Sequence, residues 1–413
     1  MTELLSELDF SLDMPSDGVV ESRNEVVIDS SAPSHSATNN NIIRLYMTSS
    51  GFVDPHTVQI FADVSYPTVT AQTAANVIPG CHFFSDVRVL SQRGDVLEEL
   101  NNTQLLSQKL HEASSDADYM NCGGSFTNSQ KDVSLRQVAL SAAPVNFRMN
   151  ITDVLGIFNQ PKYLHMASFG GGLQIELRCG SNESVMTTKD DTVAAQYSLS
   201  NVRLHYEEVL VSRGYMDLYN EKLQQGGYAL SFPTHSHLQS PVTAGGETQI
   251  ALNKTASKVK YVFSTVRESA NRNKIDKNET ATDSRVVSYQ YQINGKNFPP
   301  QAVRSKAKAY QELLEANGNH KDNRTALICY KDFNEQWEFG ASKTSETIQN
   351  GTYAAWMNLE KSASSALSGT GMTANSSFLK INVDAAVASP VVDTFVCFSR
   401  VLSVQPDRVV IVD

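Results

Sequence analysis

His235-Ser236-His237 is the closest pairing of histidines in the chain. Residues two apart on a strand share a face, so both imidazoles would point the same way, as metal ligands must. No third ligand stands at a recognisable spacing, and the pair reads as an exposed polar strand. Asp190-Asp191 and Glu207-Glu208 bring carboxylates together, but strand neighbours point to opposite faces, which is poor geometry for an acid/base pair. Both pairs read as surface charge. Gly369-Thr370-Gly371 lies in a Ser/Ala/Gly-rich stretch without the Lys-Ser/Thr of a phosphate loop, and reads as flexible loop. There is no Gly-x-Ser-x-Gly elbow and no His-Glu-x-x-His. The five cysteines, Cys81, Cys122, Cys179, Cys329 and Cys397, are scattered and contain no Cys-x-x-Cys pair, the pattern of buried free thiols. No catalytic, cofactor-binding or metal-binding residue is assigned, no cofactor is expected, and an enzyme is not.

The densest positive segment holds Lys254, Lys258, Lys260, Arg267, Arg272, Lys274 and Lys277, with Arg304, Lys306 and Lys308 further on. Aromatic residues do not interleave with these charges as a base-stacking platform requires, and the whole chain carries a net charge of -10. The segment therefore reads as a solvated face and loop, and no specific nucleic-acid site is predicted.

The elements that carry these residues are mostly strands. Val287, Tyr289, Tyr291 and Ile293 alternate with polar residues, Asn294-Gly295 ends the run, and Phe298-Pro299-Pro300 forces an extended exit. Tyr310, Leu313 and Leu314 then recur at helical spacing, and Asn317-Gly318 supplies a left-handed C-cap. The unit is strand, loop, short amphipathic helix. The first half holds a similar one: strand from Phe83 to Leu90, turn at Gly94-Asp95, strand from Val96 to Leu100, then a helix with Leu105, Leu106, Leu110 and Ala113. Further strands are read from Ile43 to Met47, Val58 to Val64, Leu173 to Cys179, Val202 to Tyr206, Tyr228 to Phe232, Val259 to Val266, Phe378 to Val383, Thr394 to Val401 and Val409 to Val412. Short strands separated by Gly/Pro/Asn turns indicate an all-β sandwich or jelly roll.

With 413 residues and 41% hydrophobic content the chain suits two domains. The duplicated unit places residues 1–40 as an acidic arm, 41–213 as the first jelly roll, 214–227 as a linker helix (Tyr215, Leu218, Tyr219, Leu223) and 228–413 as the second roll. Within the arm Leu4, Leu5, Leu8 and Leu12 could line one helix face. No apolar run approaches the ~20 residues of a membrane span, and the acidic N-terminus lacks the apolar core of a secretory signal.

Several stretches together resemble the double jelly-roll major capsid proteins of Polinton-like viruses, virophages and the adenovirus-type lineage. These are Asn41-Ile-Ile-Arg-Leu-Tyr-Met-Thr-Ser-Ser-Gly-Phe-Val-Asp-Pro55; Phe83 to Leu90 with Val96 to Leu100 and the helix after them; Leu155-Gly-Ile-Phe-Asn-Gln-Pro-Lys-Tyr-Leu164 followed by Leu173 to Cys179; Tyr289 to Pro300 with Tyr310 to Leu314; and Val392 to Leu402. The resemblance covers residues 41–413 and leaves the acidic arm unexplained. It implies two tandem eight-stranded jelly-roll β-sandwiches with short helices in the connections, and a structural protein of the virion assembled inside the host cell. It further implies a homotrimer forming a pseudo-hexagonal capsomer, contact with neighbouring capsomers in an icosahedral shell, and penton and minor or cement proteins as partners. Contact with an internal membrane stays open. Loops Asn271–Asp283 and Lys361–Ser377 are candidates for outer towers or subunit contacts, and the arm for a bridge to neighbouring capsomers or a lining of the interior. The alternatives are a carbohydrate-binding or carbohydrate-cleaving sandwich, for which only Trp337 and Trp356 are available as aromatic platform, and a vertex or spike protein built on single jelly rolls.

Overall fold

Ile43, Leu45 and Met47 are buried, while Ile42, Arg44, Tyr46 and Thr48 between them are exposed, so this strand has one core face and one wet face. The same alternation sets most of the chain in strands. The computed structural model describes residues 20–65, 75–77, 83–114, 144–149, 151–188, 196–271, 286–317, 333, 337–338, 349–350, 353–360, 369–405 and 409–413.

Sixteen strands form the frame. In the first half they are β1 (Val20–Asp29), β2 (Ile42–Thr48), β3 (Phe52–Ser65), β4 (Phe84–Ser91), β5 (Val96–Asn101), β6 (Val145–Met149), β7 (Gly172–Cys179) and β8 (Ser198–Val211). In the second they are β9 (Tyr228–Pro241), β10 (Glu247–Ala251), β11 (Ala256–Glu268), β12 (Val286–Ile293), β13 (Lys296–Val303), β14 (Ala355–Asn358), β15 (Phe378–Val383) and β16 (Pro390–Val404). The first half pairs as β1-β8-β3-β6 facing β2-β7-β4-β5; the second as β9-β16-β11-β14 facing β10-β15-β12-β13. Every neighbour is antiparallel, and adding eight to each label of the first half reproduces the second. Each half is a jelly roll of two four-strand layers. Shorter strands extend the sheets, among them Val409–Val412 on β16.

Among the described residues, three helices of eleven or more residues accompany them. Helix α1 (Thr103–Ser114) follows β5, and α3 (Lys306–Ala316) follows β13, so the repeated strand-to-helix unit occupies one place in both rolls. Helix α2 (Arg213–Gly226) joins β8 to β9, within a residue of the expected linker. Its Tyr219 packs on Phe52, His165 and Tyr228, but Tyr215 and Leu218 are exposed.

Two expectations are corrected. The arm cannot extend to residue 40, because β1 pairs with β8 from Asp29↔Arg203 to Val20↔Val211. Only Val26 and Ile28 of β1 pack on the core, so its acidic outer face disguised it. Residues 1–19, with the leucine face at Leu4 to Leu12, lie outside the described residues. The loop expected at Phe298-Pro299-Pro300 is strand β13: Asn294 (φ 48) and Gly295 (φ 80) form a tight hairpin turn into it. Proline fits there because β13 is an edge strand, where a missing N–H need not break a ladder. Of the expected C-cap Asn317-Gly318, Gly318 lies outside the described residues; Asn317 ends α3 at φ -93, with its side-chain amide donating to the Leu313 carbonyl at 2.9 Å. Of the two proposed tower loops, residues 272–283 and 361–368 lie outside the described residues, whereas Thr370–Met372 pairs with β11.

Candidate functional site

The two rolls meet where edge strand β5 of the first lies along edge strand β9 of the second. Glu98, on β5, is fully buried there. Its carboxylate accepts hydrogen bonds from the backbone N–H of Gly156 and of Ile157, both at 3.0 Å, and from the Thr234 hydroxyl of β9 at 2.7 Å. Burial, the largest influence, pushes the Glu98 carboxyl up to about 7. The bonds from Thr234, Ile157 and Gly156 and the field of Arg400 pull the other way. Arg400, on β16, donates to the Leu97 carbonyl at 3.0 Å and forks onto Asp413 at 2.6 and 3.0 Å. Gly156 is needed for the approach: a Cβ there would stand 1.7 Å from the Pro233 carbonyl oxygen.

Further along the seam the Asn102 amide lies 3.5 Å from the His237 ring, which bonds Asp393 at 2.8 Å. Asp393 is wholly buried and also receives Arg267 at 2.6 and 3.0 Å and Gln239 at 3.0 Å. Burial pushes its carboxyl upward, but the His237 bond and the Arg267 guanidinium outweigh it and hold it below the ordinary carboxylate value. Around this network lie Phe263, Trp356 and Phe395, with ring centroids 4.3 Å apart for Phe263–Trp356 and 5.0 Å for Phe263–Phe395.

The corresponding face of the first roll is different in kind. β16 is buried on both faces from Pro390 to Phe398, whereas Arg203, His205 and Glu207 on β8 are open to solvent to varying degrees. They form a charged ladder with β1: Asp29–Arg203 at 3.0 Å, Glu25–His205 at 2.9 Å and Arg23–Glu207 at 2.9 Å, with Arg23 also on Asp54 at 2.5 Å. A groove of about 600 Å³ runs over this ladder beside His56, Gln59 and Phe61.

The residues singled out by type fall into structural places. His235 and His237 do share a face of β9, but His235 is buried rather than exposed, bonds the Tyr261 hydroxyl at 2.9 Å, and is pushed down to about 4 by burial. The correction follows from Tyr261 of β11 packing on His235 across the second roll's sheet, which the strand pattern alone does not reveal. Among the described residues no cluster of three or more ligand-type side chains could hold a metal ion. Glu207 pairs with Arg23, while Glu208, on the opposite face, accepts from Ser49 at 2.6 Å and the Ser50 N–H at 3.1 Å. Asp190 and Asp191 lie outside the described residues, as do Cys81, Cys122 and Cys329. Cys179 and Cys397 are buried free thiols, both pushed up to about 12 by burial. The basic run is dispersed: Lys254 pairs with Asp413 at 2.6 Å and lies over the Phe398 ring, and Arg267 is buried on Asp393. Arg272, Lys274 and Lys277 lie outside the described residues. Trp356 is buried, so it offers no sugar-stacking platform.

Glu98 and Asp393 were not singled out from the sequence. The available signal was a carboxylate at a core-facing position inside an apolar run, Val96-Leu-Glu-Glu-Leu100 and Val392-Asp-Thr-Phe-Val396. A charge at a core position of a strand requires a buried partner.

No protein-family model matches the chain, and no curated protein sequence matches it. Solved structures do. PBCV-1 VP54, in a crystal structure fitted into a cryo-EM reconstruction of the virophage Sputnik, superimposes with a TM-score of 0.61 at 10% identity, over 94% of this chain and 96% of that one. The cryo-EM structure of the Sputnik virophage gives 0.56 at 9% identity over 95% and 88%. The mavirus major capsid protein gives 0.50 at 10% identity over 94% and 89%. At such identities the likeness is one of fold, and it spans both rolls and the seam between them. This chain is a tandem pair of eight-stranded jelly rolls, a fold it shares over nearly its whole length with PBCV-1 VP54.

Proposed function

We propose that the protein is a structural major capsid protein of the virion, which trimerises into pseudo-hexagonal capsomers and tiles an icosahedral shell. The observation that carries this reading is the complete repetition of one jelly roll in one chain, in an arrangement that superimposes on capsid proteins over 94% of its length. Two like wedges per chain give six per trimer, so a three-fold ring of chains has a nearly six-fold outline, the shape that packs on a triangulated lattice. A cyclic trimer closes through a heterologous contact, one end of each chain meeting the opposite end of the next. Glu98 and Arg400 are committed to holding the two rolls together, and Asp393 to its buried network with Arg267 and His237, which supports a structural role. Neighbouring capsomers, and penton and cement proteins at the vertices and gaps, are the partners this role requires. Residues 1–19 would reach between capsomers.

Negative-stain electron microscopy of the purified chain, with its mass measured in the same preparation, tests the reading. Hexagon-outlined particles of about three times the 45.3 kDa chain mass are expected. Pentameric or elongated particles would overturn it in favour of a vertex or spike protein.

A further inference from the structure

The internal seam matches the edge of β5 in the first roll to the edge of β9 in the second. Because the rolls repeat, each end of the chain keeps, among the described residues, one unmet half of the same match: the β13 edge of the second roll, counterpart of β5, and the β1 edge of the first, counterpart of β9. Their surroundings differ as met and unmet surfaces should. Helix α1, beside the met edge, is buried without a break from Thr103 to Lys109. In α3, beside the unmet edge, Ala309, Glu312, Leu313 and Leu314 are buried, while Lys306, Ala307 and Gln311 are exposed. Strand β13 buries only Val303, and the outer face of β1, including Val27, is exposed.

The two unmet edges carry opposite charge. Lys296, Arg304 and Lys306 are exposed along β13 and the start of α3, whereas Glu21, Glu25 and Asp29 are exposed along β1. Glu25 and Asp29 are already in contact with His205 and Arg203, but the ladder also holds Glu207 and Asp54 around Arg23, leaving the β1 side acidic. We infer that the β13–α3 edge of one copy docks on the β1 edge of a second copy, with Lys296, Arg304 and Lys306 facing Glu21, Glu25 and Asp29. The contact repeats between chains the strand-edge match that each chain makes within itself. Where the internal seam is buried and hydrogen-bonded, this one is exposed and ionic. It rests on the capsomer reading and assigns its subunit contact to named strands. Opposed surface charge of this kind steers and registers an encounter, and it weakens as salt rises.

The test compares the association of three full-length chains by sedimentation velocity at low and high salt, with circular dichroism to verify folding. The wild-type chain is expected to form trimers that loosen with salt. Arg304→Glu with Lys306→Glu should weaken association at least about tenfold at low salt. Adding Glu21→Lys and Glu25→Lys to that chain reverses both edges, and should restore trimers. A folded Arg304→Glu/Lys306→Glu chain that trimerises like the wild type overturns the proposed contact and leaves the capsomer reading standing. A wild-type chain that stays monomeric at every concentration overturns both.

Discussion

Glu98 of the first roll accepts a 2.7 Å hydrogen bond from Thr234 of the second, and is the point at which one buried side chain holds both rolls. Glu98→Gln replaces one acceptor oxygen by an NH₂ that must face the backbone N–H of Gly156 or of Ile157. An unmatched buried donor costs about 1–3 kcal/mol, read as a lower denaturant midpoint with an unchanged slope. A midpoint equal to the wild type would refute the role assigned to this carboxylate.

The same residue makes a pH signature. Its folded-state value of about 7 lies above the 4.5 of an ordinary glutamate, so between these values the folded chain holds more protons than the unfolded one. That contribution is fully present below about 4.5 and is lost as pH rises through about 7. His235 acts in the opposite sense: held down to about 4, it favours the fold above 6.5 and withdraws that support as pH falls through 4. Subtracting the pH–stability curve of Glu98→Gln from that of the wild type isolates the first effect. A flat difference between pH 4.5 and 7 would contradict it.

Asp393→Ala should be among the most damaging single changes. It leaves Arg267 buried without its carboxylate and removes the acceptor of His237 and Gln239. Breaking a buried ion pair from one side costs about 3–5 kcal/mol. Urea unfolding measures it, and a loss under about 1 kcal/mol would mean that the network is dispensable.

Gly156→Ala tests the closeness of the rolls. The added methyl cannot share space with the Pro233 carbonyl, so the seam must part, at about 1–3 kcal/mol. Gly214→Ala, where nothing lies within 4 Å, is the control and should be neutral. Equal thermal midpoints for the two variants would rule out the close approach.

Truncation separates the arm from the roll. Deleting residues 1–19 keeps β1 and should leave folded trimers that build shells poorly. Deleting residues 1–40 removes β1 from its ladder on β8 and should also abolish trimers. Normal shells from the shorter deletion would show that the acidic arm has no part in assembly.

How much of this was legible depended on whether a residue's surroundings are local in sequence. Strands β2, β7 and β12 alternate cleanly because one face of each meets its own roll's core, and the β4–β5–α1 and β12–β13–α3 units exposed the duplication. β1 was hidden because an edge strand buries little: only Val26 and Ile28 report it. β13 was hidden by its two prolines. The seam could not be read, since Glu98 of the first roll finds Thr234 of the second 136 residues away, a contact no window of sequence contains. Nor could the pairing of Asp393 with Arg267, which meet on neighbouring strands of the second roll 126 residues apart.

Pro299 and Pro300 on β13 have a consequence for how copies come together. Lacking N–H groups, they deny an incoming strand a continuous backbone ladder along that edge. A second chain therefore cannot fuse into the sheet, and stray copies are kept from zipping into fibres. What remains is contact through side chains, each bond weak enough to break again. Growth from such contacts can anneal: a misplaced copy leaves before its neighbours trap it, and only arrangements that close on themselves persist.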